Sequence, residues 1–301
     1  MVHPVPQGSG LSIFSPAKIN LLLAVTGRRE DGYHNLISLV APLQFGDTLS
    51  VTIGPIGLPD SLMCDRPEVP VNEDNLVLKA ARACRLRRAL PYSLHFNLVK
   101  RIPMGAGLGG GSSNAIAALR LFSALAPVPF TQAEAHEIAT TLGSDCPLFL
   151  HDCPLIMRGR GECITRVPPE VCETLKGRPV LLFKPSFAIA TPWAFQQLAS
   201  NPENYDDEAA IEQRVANWLE GQVPVESLLY NCFESVVFKK FLVLPTLFED
   251  LRKNTKFRPL LSGSGSCCFI LGEPASNFSN ELTTIHAVLG PDTFSIVTFL
   301  A

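Results

Sequence analysis

Hydrophobic and polar positions alternate over residues 48–53 and again over residues 94–98. A period of two predicts strands with one buried face and one wet face. Residues 19–25 form a more continuous apolar strand, which ends at Gly27, and the apolar pattern resumes over residues 36–43 after an Asp31-Gly32 turn. These segments together predict a meander-like sheet.

Apolar residues spaced for a helix follow in residues 76–86, 116–125 and 133–142, the first after the capping residues Asn72, Asp74 and Asn75. The pattern starts afresh after Gly161. It predicts strands at 164–167 and 180–183, followed by a helix that Thr191 caps and in which Pro192 is the first residue. Three further helices are predicted to about residue 254. The chain then ends with a strand at 267–271, a helix to about 288 and a last strand at 293–299.

Strands and helices are mixed along the chain without strict alternation, which favours the α+β class. The length of 301 residues is about twice that of an ordinary domain. We therefore predict two domains, residues 1–162 and 163–301, with a last strand that can return to the first domain.

The composition excludes several classes of protein. Apolar residues make up 47% of the chain, which argues against wholesale disorder, and the net charge of −3 supplies no basic field for nucleic acid. No uninterrupted apolar run approaches the ~18 residues of a membrane span. An anionic ligand must therefore be held by local donors.

Nine cysteines are scattered without a C-x-x-C pair, which predicts reduced thiols in the cytoplasm rather than disulfides or a zinc site. The first ten residues contain two prolines and no apolar core, so we expect no leader peptide.

A glycine-rich loop at residues 103–113 is the strongest local signal. Such a loop lets the backbone approach an anion closely, and its N–H groups converge with those of the following helix N-terminus. Gly105, Gly107 and Gly110 also fit the dinucleotide-binding spacing, but no acidic residue follows at 125–130, and no Gly-Lys-Ser or Gly-Lys-Thr completes a Walker loop. Phosphate is the expected ligand, and a tight turn needed only for packing stays the alternative.

Four further segments extend this signal: Ser15-Pro-Ala-Lys-Ile-Asn-Leu-Leu-Leu23, Gly27-Arg-Arg-Glu-Asp-Gly-Tyr-His34, Leu142-Gly-Ser-Asp-Cys-Pro-Leu-Phe149 and Leu261-Ser-Gly-Ser-Gly-Ser-Cys267. Together with the glycine loop, these segments resemble the motifs of the GHMP kinase superfamily and occur in the same order. The first two segments resemble those of one superfamily member, an enzyme of the non-mevalonate isoprenoid pathway. Ser144, Cys146 and the Ser266-Cys267-Cys268 run depart from the common pattern, and residues 200–245 match no motif.

The resemblance implies a two-domain GHMP kinase fold, with an N-terminal mixed or antiparallel sheet and helices like those of a ribosomal protein domain, and a C-terminal ferredoxin-like α/β domain. It implies ATP-dependent phosphorylation of the 2-hydroxyl of a cytidine-diphospho alcohol. Mg²⁺ would be held mainly by the ATP phosphates, because no acidic cluster is visible. The ATP-binding residues would be Pro103, Met104, Gly105, Ala106, Gly107, Leu108, Gly109, Gly110, Gly111, Ser112 and Ser113.

Lys18 and Asp145 are the catalytic residues that the resemblance implies. Asp145 would act on the hydroxyl proton, and Lys18 would keep the carboxylate ionised and stabilise charge on the phosphoryl group. From the residues alone, a helix cap before Pro147 is the favoured role of Asp145, and the wet face of a strand is the commoner place for a lone lysine such as Lys18. Ser112 and Ser113 are likewise suited to capping the helix that follows them.

By the same resemblance Tyr33 and His34 hold the cytosine ring, and Phe195 supplies the opposing face. Asn20 and Thr191 would be polar contacts, and Gly263 and Gly265 would lie near the substrate phosphates. Phe195 has the helical spacing of a core residue, and the last glycine loop is also suited to a plain turn between strands.

The alternatives are a kinase for homoserine or mevalonate, a silent nucleotide-binding regulator and an NAD-dependent oxidoreductase. The Gly-Tyr-His segment argues against the first, the retained Lys18 and Asp145 against the second, and the missing acidic residue against the third. We expect a small-molecule partner, neither nucleic acid nor membrane, and a monomer or weak homodimer.

Overall fold

The computed structural model describes residues 10–301. The expected lack of a leader concerns residues 1–9, which lie outside the described residues. The strands are β1 Leu11–Arg28, β2 His34–Ile56, β3 Ser61–Cys64, β4 Tyr92–Val99, β5 Leu155–Gly159, β6 Cys163–Arg166, β7 Pro179–Lys184, β8 Tyr230–Asn231, β9 Pro259–Leu261, β10 Cys268–Leu271 and β11 Phe294–Phe299.

The helices are α1 Leu76–Arg87, α2 Gly110–Leu125, α3 Gln132–Leu142, α4 Pro169–Leu175, α5 Thr191–Ala199, α6 Glu208–Leu219, α7 Glu234–Lys240, α8 Val243–Asn254 and α9 Ser279–Leu289. Short 3-10 helices occur at Cys146–Leu150, Pro202–Asn204 and Val225–Leu228. The mixture of strands and helices confirms the α+β class.

The described chain divides into two compact units, each built from several segments. Unit 1 takes residues up to 17, 45–104 and 109–151, and unit 2 takes residues 18–44, 105–108 and 152–301. The chain enters unit 2 within β1 and leaves it within β2. Domains divided near residue 162 stay a prediction.

In unit 1, β2 pairs antiparallel with β4 and β3 pairs parallel with β4. The alternating residues form the buried face as predicted, since Leu49, Val51 and Phe96 are at most 2% exposed. Helices α1, α2 and α3 contact one another. Asn75 caps α1 with its side chain, and Thr131 begins α3 with a capping box.

In unit 2, β2 pairs with β5, β5 pairs with β6, and β8 lies parallel to β1. A second, antiparallel sheet has the order β11-β7-β10-β9. The core of unit 2 is rich in phenylalanine, with Phe183, Phe233 and Phe248 at most 1% exposed. Burial of these large side chains is the main favourable term for this unit.

Two predicted helix starts are wrong by one or two residues. Ala190, not Thr191, is the N-cap of α5, so Thr191 occupies the first helical position. Helix α2 starts at Gly110 after Gly109, whose φ of 71° only glycine adopts readily. The helix therefore begins before Ser112, and Ser112 and Ser113 lie inside its first turn rather than at its cap.

Asp47 is a fully buried carboxylate of β2 that binds the residues directly after β4. One carboxylate oxygen accepts the backbone N–H groups of Arg101 and Ile102 at 2.7 and 2.8 Å. The other accepts the ammonium of Lys100 and the side-chain amide of Asn114, the latter at 2.9 Å. Asp47 thus holds both the residues that enter the glycine loop and the helix that leaves it.

Replacing this carboxylate should be costly, because Lys100 and two backbone N–H groups lose their partner inside the protein. We expect Asp47→Ala to lower the free energy of unfolding by about 3–5 kcal/mol, as for other broken buried ion pairs. Urea unfolding measures it. The matched control is Asp65→Ala, which also removes an acceptor from a backbone N–H and an arginine partner, but at a half-exposed site. Equal losses in the two variants would contradict this account of Asp47.

Candidate active site

The glycine loop has the backbone of an anion site. Gly105, Gly107 and Gly109 have φ values of 59°, 74° and 71°, so every second residue is left-handed. No side chain caps the helix that follows. The first N–H groups of α2 have no acceptor within the helix, and the helix dipole favours negative charge there.

Added side-chain atoms show which part of this loop is open. A Cβ at Gly107 would lie 2.1 Å from the Ser262 carbonyl oxygen, and one at Gly110 would lie 2.9 Å from the Lys100 ammonium. A Cβ at Gly105 would meet no atom of the described residues within 4 Å. Neighbouring protein atoms therefore leave no space for a side chain at Gly107 and Gly110, whereas the space beside Gly105 is open. This open space fits the close approach of phosphate oxygens.

The two serines of the loop differ in their contacts. Ser113 is buried, and its hydroxyl accepts a hydrogen bond from Ser15 at 2.7 Å. Ser112 is partly exposed and hydrogen-bonds the thiol of Cys146. Burial raises the pKa of Cys146 to about 11, and the Ser112 contact opposes this only in part, so Cys146 is a neutral thiol. Ser112 is the serine better placed to meet a ligand.

Asp145 directly precedes the 3-10 helix Cys146–Leu150 with φ −85° and ψ −12°. It occupies the N-cap position, but its side chain makes no capping hydrogen bond. Pro147 also removes one N–H group from the first turn of that helix. The structure thus confirms the N-cap position of Asp145 but shows no capping hydrogen bond from its side chain.

Lys18 is buried in β1, with 6% of its surface exposed, so its placement on a wet face is wrong. Its ammonium donates to the amide oxygen of Asn20 at 2.7 Å. Asn20 in turn donates to the Ser38 hydroxyl at 2.8 Å, and Ser38 donates to the Leu22 carbonyl at 2.6 Å. This chain of hydrogen bonds fixes the direction of the Lys18 side chain. Asn20 is thereby a partner of Lys18, whatever else it contacts.

The last glycine loop, residues 262–266, joins β9 to β10 and contacts the first half of the glycine-rich loop. The Ser262 hydroxyl donates to the Gly107 carbonyl at 3.1 Å, and the Cys267 N–H donates to the Ala106 carbonyl at 3.2 Å. The Lys18 N–H donates to the Leu108 carbonyl at 3.0 Å. Residues 105–108 of the glycine-rich loop, the last glycine loop and Lys18 thus lie together in unit 2.

Gly263 and Gly265 each need their lack of a side chain. A Cβ at Gly263 would lie 3.2 Å from the Gly107 carbonyl oxygen and 3.6 Å from the Lys18 ammonium. At Gly265 it would lie 2.9 Å from the side chains of Ile189 and Leu261. Thr191 is exposed, and its hydroxyl lies 2.7 Å from that of Ser264. This close set of contacts is more than a plain turn between strands requires.

The three aromatic side chains that were predicted to bind the base, Tyr33, His34 and Phe195, do not form a single stack. His34 and Phe195 stack on each other with ring centroids 5.0 Å apart and planes at 29°. That distance leaves no room for a third ring between them. Tyr33 is 54% exposed, and the guanidinium of Arg160 lies 4.8 Å from its ring centroid. A base can therefore lie only on an outer face of the His34 and Phe195 stack.

His34 also presents a buried polar atom. Its Nε2 has no hydrogen-bond partner among the described residues. Burial, and secondly the charge of Arg28, lowers the pKa of His34, which favours a neutral ring near neutral pH. A neutral imidazole can accept or donate at Nε2, so this atom is suited to a ligand with polar ring edges.

The sequence analysis missed Tyr205, which lies beside His34 with ring centroids 6.0 Å apart. The next residue, Asp206, anchors it: the carboxylate accepts the Tyr230 hydroxyl at 2.6 Å and the Val25 N–H at 3.2 Å. Burial raises the pKa of Asp206, and these two hydrogen bonds oppose the rise. No motif marks this segment, and an Asn-Tyr-Asp-Asp run reads as an ordinary loop.

Within residues 10–301, no group of three or more His, Cys, Asp or Glu side chains is arranged to hold a metal ion. Over the same residues, no helix is both long enough and apolar enough to cross a membrane. All nine cysteines are free thiols.

The family model of the GHMP kinase N-terminal domain matches residues 75–152, a stretch that includes the glycine loop and Asp145. Curated relatives extend over most of the chain. The 4-diphosphocytidyl-2-C-methyl-D-erythritol kinase of Protochlamydia amoebophila is 36% identical, covering 88% of this chain and 87% of the relative. The kinase of the same name from Methylacidiphilum infernorum is 36% identical, covering 93% of both chains.

Solved structures agree with the sequence relatives. A crystal structure of 4-(cytidine 5'-diphospho)-2C-methyl-D-erythritol kinase superposes with a TM-score of 0.76 at 30% identity, covering 97% of this chain and all of the other. Homoserine kinase from Cytophaga hutchinsonii superposes with a TM-score of 0.73 at 13% identity, a likeness of fold alone. These findings confirm the predicted GHMP kinase fold. The chain belongs to the GHMP kinases and, within them, to the family of 4-diphosphocytidyl-2-C-methyl-D-erythritol kinases.

Proposed function

We propose that this chain transfers the terminal phosphoryl group of ATP to the 2-hydroxyl of 4-(cytidine 5'-diphospho)-2-C-methyl-D-erythritol. Membership of the kinase family supports the reaction. The observation that carries the proposal is the buried Lys18 ammonium, fixed by Asn20 and lying beside Gly263 of the last glycine loop. A buried ammonium next to two glycine loops suits the charge of a transferring phosphoryl group.

The glycine loop from Pro103 to Ser113 would hold the ATP phosphates. Its left-handed glycines and the uncapped start of α2 support this role, and the open side at Gly105 leaves space for the oxygens. Mg²⁺ would neutralise phosphate charge, and the Ser112 hydroxyl is the group of this loop best suited to meet it. The lack of an acidic cluster in the described residues fits an ion carried mainly by the nucleotide.

Asp145 and Lys18 would divide the work on the reacting hydroxyl. The hydroxyl proton passes to the Asp145 carboxylate as the oxygen attacks phosphorus, and the leaving ADP takes the electrons of the broken bond. Lys18 would stabilise negative charge on the transferring group. Since such transfer is mostly positioning and charge neutralisation, the hydrogen bond that fixes Lys18 matters as much as its charge.

The cytidine half would be held by rings. The base would lie on an outer face of the stacked pair of His34 and Phe195, with Tyr33 as a further ring contact and the His34 Nε2 as a polar contact. Asn20 and Thr191 would contact polar groups of the alcohol, and Gly263 and Gly265 would lie beside its diphosphate. The reacting hydroxyl is small and offers few contacts of its own, so binding of the cytidine half would position it.

We further propose a cytoplasmic enzyme with a small-molecule substrate, acting as a monomer or weak homodimer. The nine free thiols fit a reducing compartment. The net charge of −3 gives no support for a nucleic-acid partner.

Asp145→Asn tests the catalytic assignment, because it keeps the shape of the side chain and removes the proton acceptor. We expect kcat to fall by about 10² to 10⁴-fold, with the KM for ATP within about threefold of wild type. ADP release with the cytidine-diphospho alcohol measures both. Asp207→Asn, a change at the N-cap of α6, is the control and should leave both constants unchanged. Near-normal turnover of Asp145→Asn would remove the aspartate from the mechanism.

Gly105→Ala tests the phosphate loop. The added methyl group is strained by the positive φ but meets no atom of the described residues within 4 Å, so it should obstruct the nucleotide, and we expect the KM for ATP to rise about tenfold or more. Gly221→Ala is matched to it, since Gly221 also has positive φ and open space. Both variants should lose similar stability in thermal unfolding. An unchanged ATP affinity in Gly105→Ala, measured by calorimetry, would show that the loop is structural.

Tyr33→Ala tests the base site. We expect it to weaken the cytidine substrate by about 1–3 kcal/mol, the value of one stacked base, and to leave ATP binding unchanged. Tyr33→Phe keeps the ring and should behave as wild type. Methylerythritol phosphate without the nucleotide should lose kcat/KM by orders of magnitude. Equal weakening of ATP and alcohol in Tyr33→Ala would contradict the base site.

A further inference from the structure

Asn231 lies in the part of the chain that matches no motif, yet it contacts the last glycine loop. Its side chain is 2% exposed at the end of β8. The amide nitrogen donates to the carbonyls of Leu261 at 2.6 Å and Gly263 at 2.8 Å, and the amide oxygen accepts the Phe233 N–H at 2.9 Å. Both amide hydrogens of Asn231 are therefore committed to the loop.

Glu234, three residues on, binds the same stretch. Its carboxyl group accepts the Leu261 N–H at 3.0 Å. Burial raises the pKa of Glu234 to about 7, with the Leu261 N–H and the charges of Arg258 and Arg252 opposing the rise. Leu261 is the residue just before the loop, and together Asn231 and Glu234 bind both its carbonyl and its N–H.

The segment that carries these side chains is itself tied to the strand that carries Lys18. In β8, Tyr230 and Asn231 pair in parallel with Leu22 and Leu23 of β1, and the Cys232 N–H donates to the Leu23 carbonyl at 2.9 Å. The position of the Gly263 carbonyl therefore depends, through Asn231, on the position of β1. A shift of Asn231 would move Gly263 relative to Lys18 and Gly107.

We infer that Asn231 and Glu234 are positioning residues, which hold the last glycine loop in the conformation that binds the diphosphate of the alcohol substrate beside Lys18. This inference rests on the proposed function for the role of the loop. Neither side chain is assigned any contact with substrate. Their effect passes through the backbone of residues 261–263, where a displacement of about 1 Å is enough to weaken a positioned reaction.

Asn231→Asp and Glu234→Leu separate this role from simple stability. Asp keeps the shape and the acceptor for Phe233 but loses both donors, and Leu removes the acceptor for Leu261. In each we expect the KM for the cytidine-diphospho alcohol to rise about tenfold or more, with the KM for ATP within about threefold. Glu234→Gln keeps an acceptor oxygen and should restore the KM to within about threefold of wild type.

Val237→Ala is the matched control, because Val237 is a fully buried residue of α7, the helix that Glu234 begins. It should lower the melting temperature and leave both KM values unchanged. Amide hydrogen exchange of residues 262–266 is the second readout: it should become faster in Asn231→Asp and Glu234→Leu but not in Val237→Ala.

The inference is overturned if an active wild-type enzyme and all four variants share one KM for the alcohol, or if exchange in the loop is unchanged. It is also overturned if Val237→Ala, at equal loss of stability, raises that KM as much as Asn231→Asp. Failure of the wild-type protein to release ADP with the cytidine-diphospho alcohol would instead overturn the proposed function. In that case, amide hydrogen exchange of residues 262–266 still shows whether Asn231 and Glu234 hold the loop. The two failures are therefore distinguishable.

Discussion

The buried carboxylate of Asp47 is the contact on which the glycine loop depends. It accepts hydrogen bonds from the backbone at Arg101 and Ile102, where the loop begins, and from Asn114 in the helix where it ends. A loop rich in glycine has little conformational preference of its own and loses much entropy on ordering. Because both of its ends are held by one charged group, the loop can keep several left-handed residues. Lys100 compensates the buried negative charge.

The same principle recurs in unit 2 with different groups. Asn20 fixes the ammonium of Lys18, and Ser38 fixes Asn20. A lysine side chain is flexible, so a buried ammonium with a defined direction needs at least one strong acceptor. One acceptor here is the neutral amide of Asn20, which orients the ammonium.

The sequence was most informative where backbone geometry demands a residue type. The alternating strand of residues 48–53, the Asn75 cap and the glycine loop were all predictable, because pleat, capping and positive φ restrict the choice of residue. The start of α2 was misplaced because serine is the commoner cap, whereas the left-handed Gly109 begins this helix. The catalytic roles of Asp145 and Lys18 stay predictions that rest on the resemblance to a family, since a lone carboxylate or lysine has several purely structural roles. The roles of Tyr205, Asn231 and Glu234 depend on contacts between residues distant in sequence, which no local pattern reports.

These unpredictable residues have a common physical task. Asp206 lies in the irregular segment of Tyr205 and holds it beside His34 by binding Val25 of β1 and the Tyr230 hydroxyl, and Asn231 holds the loop of Gly263 by binding its carbonyl. Irregular segments cannot satisfy their own N–H and carbonyl groups as helices and sheets do, so a buried side chain must do so. Such a side chain needs the right donors at the right distance, but no particular neighbours in sequence. The proposed kinase site, with its two glycine loops, therefore requires polar residues well outside its motifs, and these are the carboxylates and amides buried beside those loops.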